Sequence, residues 1–442
     1  MAAAQAHSET RARLLALYDA AVVAAHPDVC LPPHLPSPPG NGRLYVVGAG
    51  KAAAAMAVAA EGPYRNAGTL DRVTGFTTAP HGTPEALTSA RPRVIDIVSA
   101  RHPTPDGASV RAAERALALA ATATERDLVL VLLSGGASAL WAAPAAGLTL
   151  EAKTGLTRGL LKCGADIHEM NTVRRHVSRI KGGRLRKATA APMLTLAISD
   201  VPGDDPATIG SGPTVPDPTT LADARAVLDR RRPAMEALGL TLPPAVAAAL
   251  ADPANETPKP GDPAFASAEY RIIATPAAAL AAAAALARRQ GYDVIDLGDA
   301  VTGEAREVAA AHAKLAHEAK AAGRRAAILS GGELSVTVRS REGRGGRNQE
   351  YALALAITLD RAEGVAALAA DTDGIDGGEG KITDPAGAII DATTLSSARH
   401  LEAQKFLDSN DATSFLETAG GLIVRGPTHT NVNDFRVILV DP

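Results

Sequence analysis

Two cations stand where helices are expected to begin, each just after a glycine turn. Lys51 closes "YVVGAGK", and Arg347 closes "GRGGR". A cation in a first helical turn meets the positive end of the macrodipole. The conflict costs roughly 0.3–1 kcal/mol unless an anion offsets it. At Lys51 an anionic ligand, a plain solvated lysine and a dinucleotide are the three readings. The dinucleotide has some support, because Gly48, Gly50 and Ala53 fit a loose G-x-G-x-x-A fingerprint. That fingerprint needs an acid about 20 positions on, ending the second strand. Asp71 has roughly the spacing but precedes the next apolar run, "VTGFTT". Near Arg347, Glu350 is favourable at a helix start without any function.

Two Ser-Gly-Gly turns follow apolar runs: Ser134-Gly135-Gly136-Ala137-Ser138 and Ser330-Gly331-Gly332-Glu333. Paired glycines let successive backbone N–H groups point into one concavity, which suits phosphate; ordinary tight turns are the other reading. Neither is a Walker A loop. In "ISDVPGDDPATIGSGPT", Asp200 ends an apolar run, and Asp204 and Asp205 follow in a Pro/Gly-rich loop. A strand-end carboxylate can hold Mg²⁺ through water or take a proton from a hydroxyl; turn chemistry is the alternative. The stretch 170–187, "MNTVRRHVSRIKGGRLRK", carries Asn171, Arg174 and Lys181, with Arg175 and Arg179 spaced by one helical turn. It suits a polyanion or a carboxylate, or else forms a solvated basic face. "DTDGIDGG" fails as an EF-hand, because Ile375 and Asp376 occupy its fifth and sixth places, yet Asp373 there could join a strand-end Mg²⁺ cluster. His429 alone is no metal site. No H-E-x-x-H, C-x-x-C or G-x-S-x-G occurs.

The elements that would position these groups are continuous apolar runs of strand length, such as "LVLVLLSGG", "LTLAISD", "AAILSGG" and "VAALAAD", alternating with alanine-rich helical segments. This pattern predicts an α/β protein of two domains with mainly parallel, helix-covered sheets, and ligands beyond the carboxyl ends of the strands. The Pro-rich stretch 251–268 reads as a linker between domains spanning 1–250 and 269–442. The N-terminal segment reads as an amphipathic surface helix starting after Ser8 or Thr10. A net charge of −3 and 3% aromatic residues give no attraction to nucleic acid or membrane. Two cysteines, Cys30 and Cys163, suit a reducing cytoplasm.

Taken in order, "VVGAGKAAAAMA", "LLSGGASAL", "MNTVRRHVSRIKGGRL", "ISDVPGDDPATIGSGPTVPDPTT", "SGGELSVTV", "GRGGRNQEYALALA", "DTDGIDG" and "GPTHTNVNDFRVILV" resemble the class II glycerate 2-kinase family, some of whose members were labelled hydroxypyruvate reductases. The chain departs from that pattern at Asp371 and His429, where glycine is more usual. The resemblance implies a MOFRL segment at about 325–440, an interdomain cleft, and ATP-dependent, Mg²⁺-assisted phosphorylation of the 2-hydroxyl of D-glycerate. It carries the catalytic lysine and arginine onto Lys51 and Arg347, expected to approach the transferring phosphoryl from opposite domains. Asp200 is then expected to hold metal or accept a proton, with Asp373 a second metal ligand. Gly50, Ser134, Gly135, Gly136, Ser138, Asn171, Arg174, Lys181, Gly331, Gly332 and Glu333 are expected around phosphate or substrate. A homodimer is the expected assembly. The rival functions are an NAD(P)H-dependent hydroxypyruvate reductase and a non-catalytic small-anion sensor.

Overall fold

The structure, a computed structural model, describes residues 2–87, 91–340, 342–378, 381–395 and 400–442. The first sheet contains β1 (Leu44–Ala49), β2 (Val73–Pro80), β3 (Ile95–Ala100), β4 (Leu128–Leu133), β5 (Met193–Ile198) and β6 (Ala268–Ala274), in the order β3-β2-β1-β4-β5-β6. The pairs from β3 across to β5 are parallel. β5 is buried along its whole length and β4 at all but its first residue, which is why neither shows polar alternation. The helices Ala53–Asn66 and Gly107–Thr122 pack on this sheet. The chain fills one side of β1 with β2 and β3, then restarts on the other side at β4. The carboxyl ends of β1 and β4 therefore flank the switch point where open α/β sheets bind ligands.

The second sheet follows: β7 (Asp293–Asp296), β8 (Gly303–Glu304), β9 (Ala326–Ser330), β10 (Leu334–Ser335), β11 (Val365–Asp371), β12 (Gly387–Asp391), β13 (Leu422–Ile423) and β14 (Asp434–Val440). β8 and β10 form a separate pair, and the others run in the order β13-β12-β11-β14-β9-β7. Here the parallel expectation is corrected. Among the described pairs of this sheet only β7–β9 is parallel. Burial on both faces produces the same apolar run whichever way the neighbours point, so the sequence pattern does not carry direction.

The division of the chain also differs from the expected one. One compact unit is Cys30–Ile273; the other combines Met1–Val29 with Ala274–Pro442. The stretch 251–268 is packed rather than a tether. It makes short 3-10 turns at Pro253–Asn255 and Pro263–Ser267, buries Asn255 and Thr257, and leads into β6 at the edge of the first sheet. Proline-rich composition signals irregular backbone, which need not be loose. The first helix runs Ala2–Ala25, beginning before Ser8. It buries Leu14, Leu17, Tyr18, Ala21 and Ala25 and packs along the helix Pro276–Arg289 and against β11 and β14. Among the described residues no single helix is long and apolar enough to cross a membrane.

Candidate active site

In the unit Cys30–Ile273 the two turns at the switch point are bonded to each other. The Lys51 N–H donates to the Gly135 carbonyl at 2.8 Å, and the Ser134 N–H donates to Ala49 at 3.1 Å. Ser134 Oγ accepts from the Ala52 N–H at 3.0 Å. Gly50, at φ 143°, has no room for a side chain, because a Cβ would lie 2.0 Å from Ser134 Oγ. A Cβ at Gly48 would lie 2.8 Å from the Leu132 carbonyl oxygen. The glycines of the supposed dinucleotide fingerprint thus serve the close approach of β1 to β4. The acid that a dinucleotide needs is also missing. Asp71 lies in the 3-10 turn Leu70–Arg72 before β2, and β2 ends in Thr78-Ala79-Pro80.

Behind the Ser134–Ser138 turn lies a polar network. Ser138 Oγ and Ser211 Oγ are 3.0 Å apart, and Ser211 Oγ donates to Asn171 Oδ1 at 3.0 Å. The buried Asn171 Nδ2 has no acceptor among the described residues. Lys181 Nζ donates to the Ser138 carbonyl at 2.8 Å. Burial holds the Lys181 ammonium well below its usual range, and Lys153 and Arg174 add to the effect. Burial also lowers Arg174. Lys153 and Lys181 are therefore buried basic groups whose charged forms burial disfavours, beside the half-buried Arg174. Their neighbours differ. Arg175 is paired with Asp217 at 3.0 Å, and Arg179 with Glu114. The helix Ile167–His176 ends before Arg179, so these two arginines do not share a helical face as their spacing predicts. Asp200 follows β5 and is half-buried. Asp205 holds its own loop, accepting from the Ala207 N–H at 3.0 Å and the Thr208 hydroxyl at 2.8 Å.

In the other unit, Arg347 opens the helix Arg347–Leu359, but its neutralising anions come from the protein itself. Its Nε donates to Asp434 at 2.9 Å and its Nη2 to Asp371 at 2.9 Å, while Glu333 lies 3.4 Å from Nη1. Burial opposes the charge, but Asp434 and Asp371 outweigh it and raise the guanidinium above its usual range. The helix start has a remote cap in Asp376, which accepts from the Asn348 N–H at 3.0 Å and the Gln349 N–H at 2.9 Å. Burial pushes the Asp376 carboxyl up to about 6, against the N–H groups that favour its charge. The expected electrostatic need for an outside anion at Arg347 is therefore met internally.

Three further expectations change here. Gly331 is not an open phosphate cradle, because its N–H donates to Gly298 at 2.9 Å and its carbonyl accepts from buried Arg436. Gly332 is a glycine because a Cβ would sit 2.2 Å from the Val301 oxygen. Glu333 faces Arg347, where it competes with an anion. Asp373 Oδ1 accepts from the Ile375 N–H at 2.9 Å, a turn role. Among the described residues no three His, Cys, Asp or Glu side chains gather as a metal site, and Asp200 and Asp373 belong to different units. His429 has φ 63°, a left-handed backbone that glycine adopts freely.

Residues 13–251 match the family described as a domain of unknown function (DUF4147), and residues 326–434 match the MOFRL family. A glycerate 2-kinase of Pyrococcus horikoshii is 36% identical, covering 90% of this chain and 88% of its own. The chain belongs to the class II glycerate 2-kinase family. The crystal structure of a glycerate kinase from Thermotoga maritima matches with a TM-score of 0.83 and 34% identity, over 98% of this chain and 100% of that one. A relative in Agrobacterium vitis that is 44% identical, over 96% of this chain and 93% of its own, carries the name putative hydroxypyruvate reductase. Both names thus occur among relatives of this glycerate 2-kinase family member, and the missing acid at the end of β2 bears on the choice between them.

One side chain at the switch point escaped the sequence reading. His102 follows β3, and its Nε2 lies 2.9 Å from where a Cβ at Gly136 would stand; Lys51 Cγ lies 3.5 Å from the same point. The signal was present in "RVIDIVSARHPTPD", an apolar run passing into a polar turn like those after β1, β4 and β5.

Proposed function

We propose that this chain transfers the γ-phosphoryl group of ATP to the 2-hydroxyl of D-glycerate, giving 2-phosphoglycerate and ADP. The observation that carries the reading is the joining of the Lys51 turn to the Ser134–Gly136 turn at the switch point, beside the polar network of Ser138, Ser211, Asn171 and Lys181 and with no ribose-binding acid at the end of β2. Lys51 faces the charge that spreads over the transferring phosphoryl. Phosphoryl transfer depends mainly on position and charge, so a fixed cation is the part most needed. The Asn171 amide and the Ser138 and Ser211 hydroxyls offer neutral donors and acceptors for the hydroxy acid, with Arg174 supplying charge for its carboxylate. Arg347, tethered by Asp371 and Asp434, keeps N–H donors to offer to an anion while remaining fixed in place.

Mg²⁺ is part of the proposal. Magnesium is commonly held by one or two carboxylates together with phosphate oxygens and water, and Asp200 at the end of β5 is a carboxylate of that kind. The ion would neutralise phosphate charge.

The test is one comparison on purified protein. D-glycerate with MgATP is expected to release ADP and yield 2- rather than 3-phosphoglycerate. Hydroxypyruvate with NADH or NADPH is expected to leave the cofactor unoxidised. Cofactor oxidation without ADP would establish the reductase, and nucleotide binding with no turnover in either arm would establish the sensor.

A further inference from the structure

The loop after β3 is placed in a way that packing alone does not require. β3 is the edge strand, and three strand spacings separate it from β4 in the order β3-β2-β1-β4. That is about 14 Å at the usual spacing. Yet the His102 ring rests over Gly136, in the turn that follows β4. The chain leaving β3 must therefore cross above the carboxyl ends of β2 and β1. The loop is anchored at its far end by Asp106, which caps the helix Gly107–Thr122 by accepting from the Ser109 N–H at 3.0 Å, and which has His81 3.7 Å away. Gly136 has φ 84°, and any side chain there would meet the imidazole. The imidazole and the Lys51 stem flank the same bare patch of backbone, the one on which the proposed function places the reacting groups.

Resting on that reading, we infer that His102 is a catalytic residue, accepting the proton of the acceptor alcohol as its oxygen attacks the γ-phosphorus. The new bond is between the alcohol oxygen and phosphorus. The bond that breaks joins phosphorus to the bridging oxygen of ADP, which leaves with the electron pair. The proton passes to Nε2 and then to solvent. Lys51 is the charged group whose stem borders the ring across Gly136. His81 and Asp106 are the titratable groups that hold the loop. General bases of this kind contribute about 100-fold to 10,000-fold.

The experiment uses the full chain and the variants His102→Gln, Lys51→Ala and Asp200→Asn. His102→Gln is expected to lower kcat about 100-fold or more, with KM for glycerate and ATP little changed and the same melting temperature. The fall of wild-type kcat on acidification through the histidine range is expected to vanish in His102→Gln and to persist in Asp200→Asn. In parallel, diethyl pyrocarbonate labelling at His102, mapped by mass spectrometry, is expected to be blocked by D-glycerate with MgATP. Near-normal kcat in His102→Gln would overturn the inference. So would an unchanged acidic limb, or no protection from labelling. A wild-type protein without glycerate-dependent ADP formation would instead fail the functional reading, and the labelling arm would then decide on His102 alone.

Discussion

Lys51 and Arg347 look alike in sequence, each a cation at a helix start after a glycine turn, but their surroundings set them apart. Arg347 is tied to Asp371 and Asp434, whose side chains are 5% and 0% exposed. Removing it leaves two buried carboxylates short of a partner, although Asp434 keeps Arg436 at 3.0 Å. Arg347→Ala is therefore expected to lose about 3 kcal/mol of stability as well as activity, seen as a lower urea midpoint. Lys51→Ala is expected to keep its urea midpoint and lose about 100-fold in kcat. Equal midpoints for the two variants would show that the carboxylates around Arg347 are indifferent to it. Gly50 offers a third test. With its φ of 143° and Ser134 Oγ in the way, Gly50→Ala is expected to cost about 2 kcal/mol or more and to disable the turn that carries Lys51. A variant with unchanged melting and turnover would contradict the packing account of this glycine.

At the scale of elements, helix termini and their partners decide which charges remain for a ligand. The helix Arg347–Leu359 borrows Asp376 as its cap, and so needs nothing from outside. In the other unit, the helix Leu150–Lys162 buries Lys153, whose Nζ donates to the Val177 carbonyl at 2.7 Å, just past the end of the helix Ile167–His176. Burial, with Arg174 and Arg184 adding, pushes the Lys153 ammonium down to about 7. The consequence for stability has a definite sign. Between about pH 7 and the ordinary lysine value of about 10.4, the unfolded chain holds this proton and the folded chain does not. Raising the pH through that window therefore removes an advantage of the unfolded state, and stability rises. Measured against Lys153→Met, the wild-type urea midpoint is expected to climb from pH 7 to pH 10. A constant difference across that window would mean that Lys153 stays charged when folded.

For the whole molecule, the boundary drawn from composition and the one drawn from packing lead to different fragments. A chain of residues 30–273 keeps six strands in the first sheet apart from the last residue of β6. A chain of residues 1–250 lacks β6 altogether and leaves the buried face of the first helix without Pro276–Arg289. The 30–273 fragment is expected to melt cooperatively. The 1–250 fragment is expected to aggregate or to melt tens of degrees lower, as calorimetry or circular dichroism would show. Equal melting of both would restore the linker reading of 251–268.

Much of this was legible in the residues alone. The α/β class, the strands leading into the turns at Lys51, Ser134 and Asp200, and the family all followed from local pattern, because apolar runs, glycine turns and motif order are properties of neighbouring residues. Strand direction in the second sheet was not legible, nor was the attachment of the first helix, nor the packing of 251–268, since each depends on partners far along the chain. The same limit separated the two cations. Asp434 lies 87 residues from Arg347 and yet holds its guanidinium. His102 reaches the Gly136 turn only through the order of four strands. Sequence determined which groups could do chemistry, and tertiary structure decided which of them are satisfied internally, because a charge is neutralised by whatever lies nearest in space.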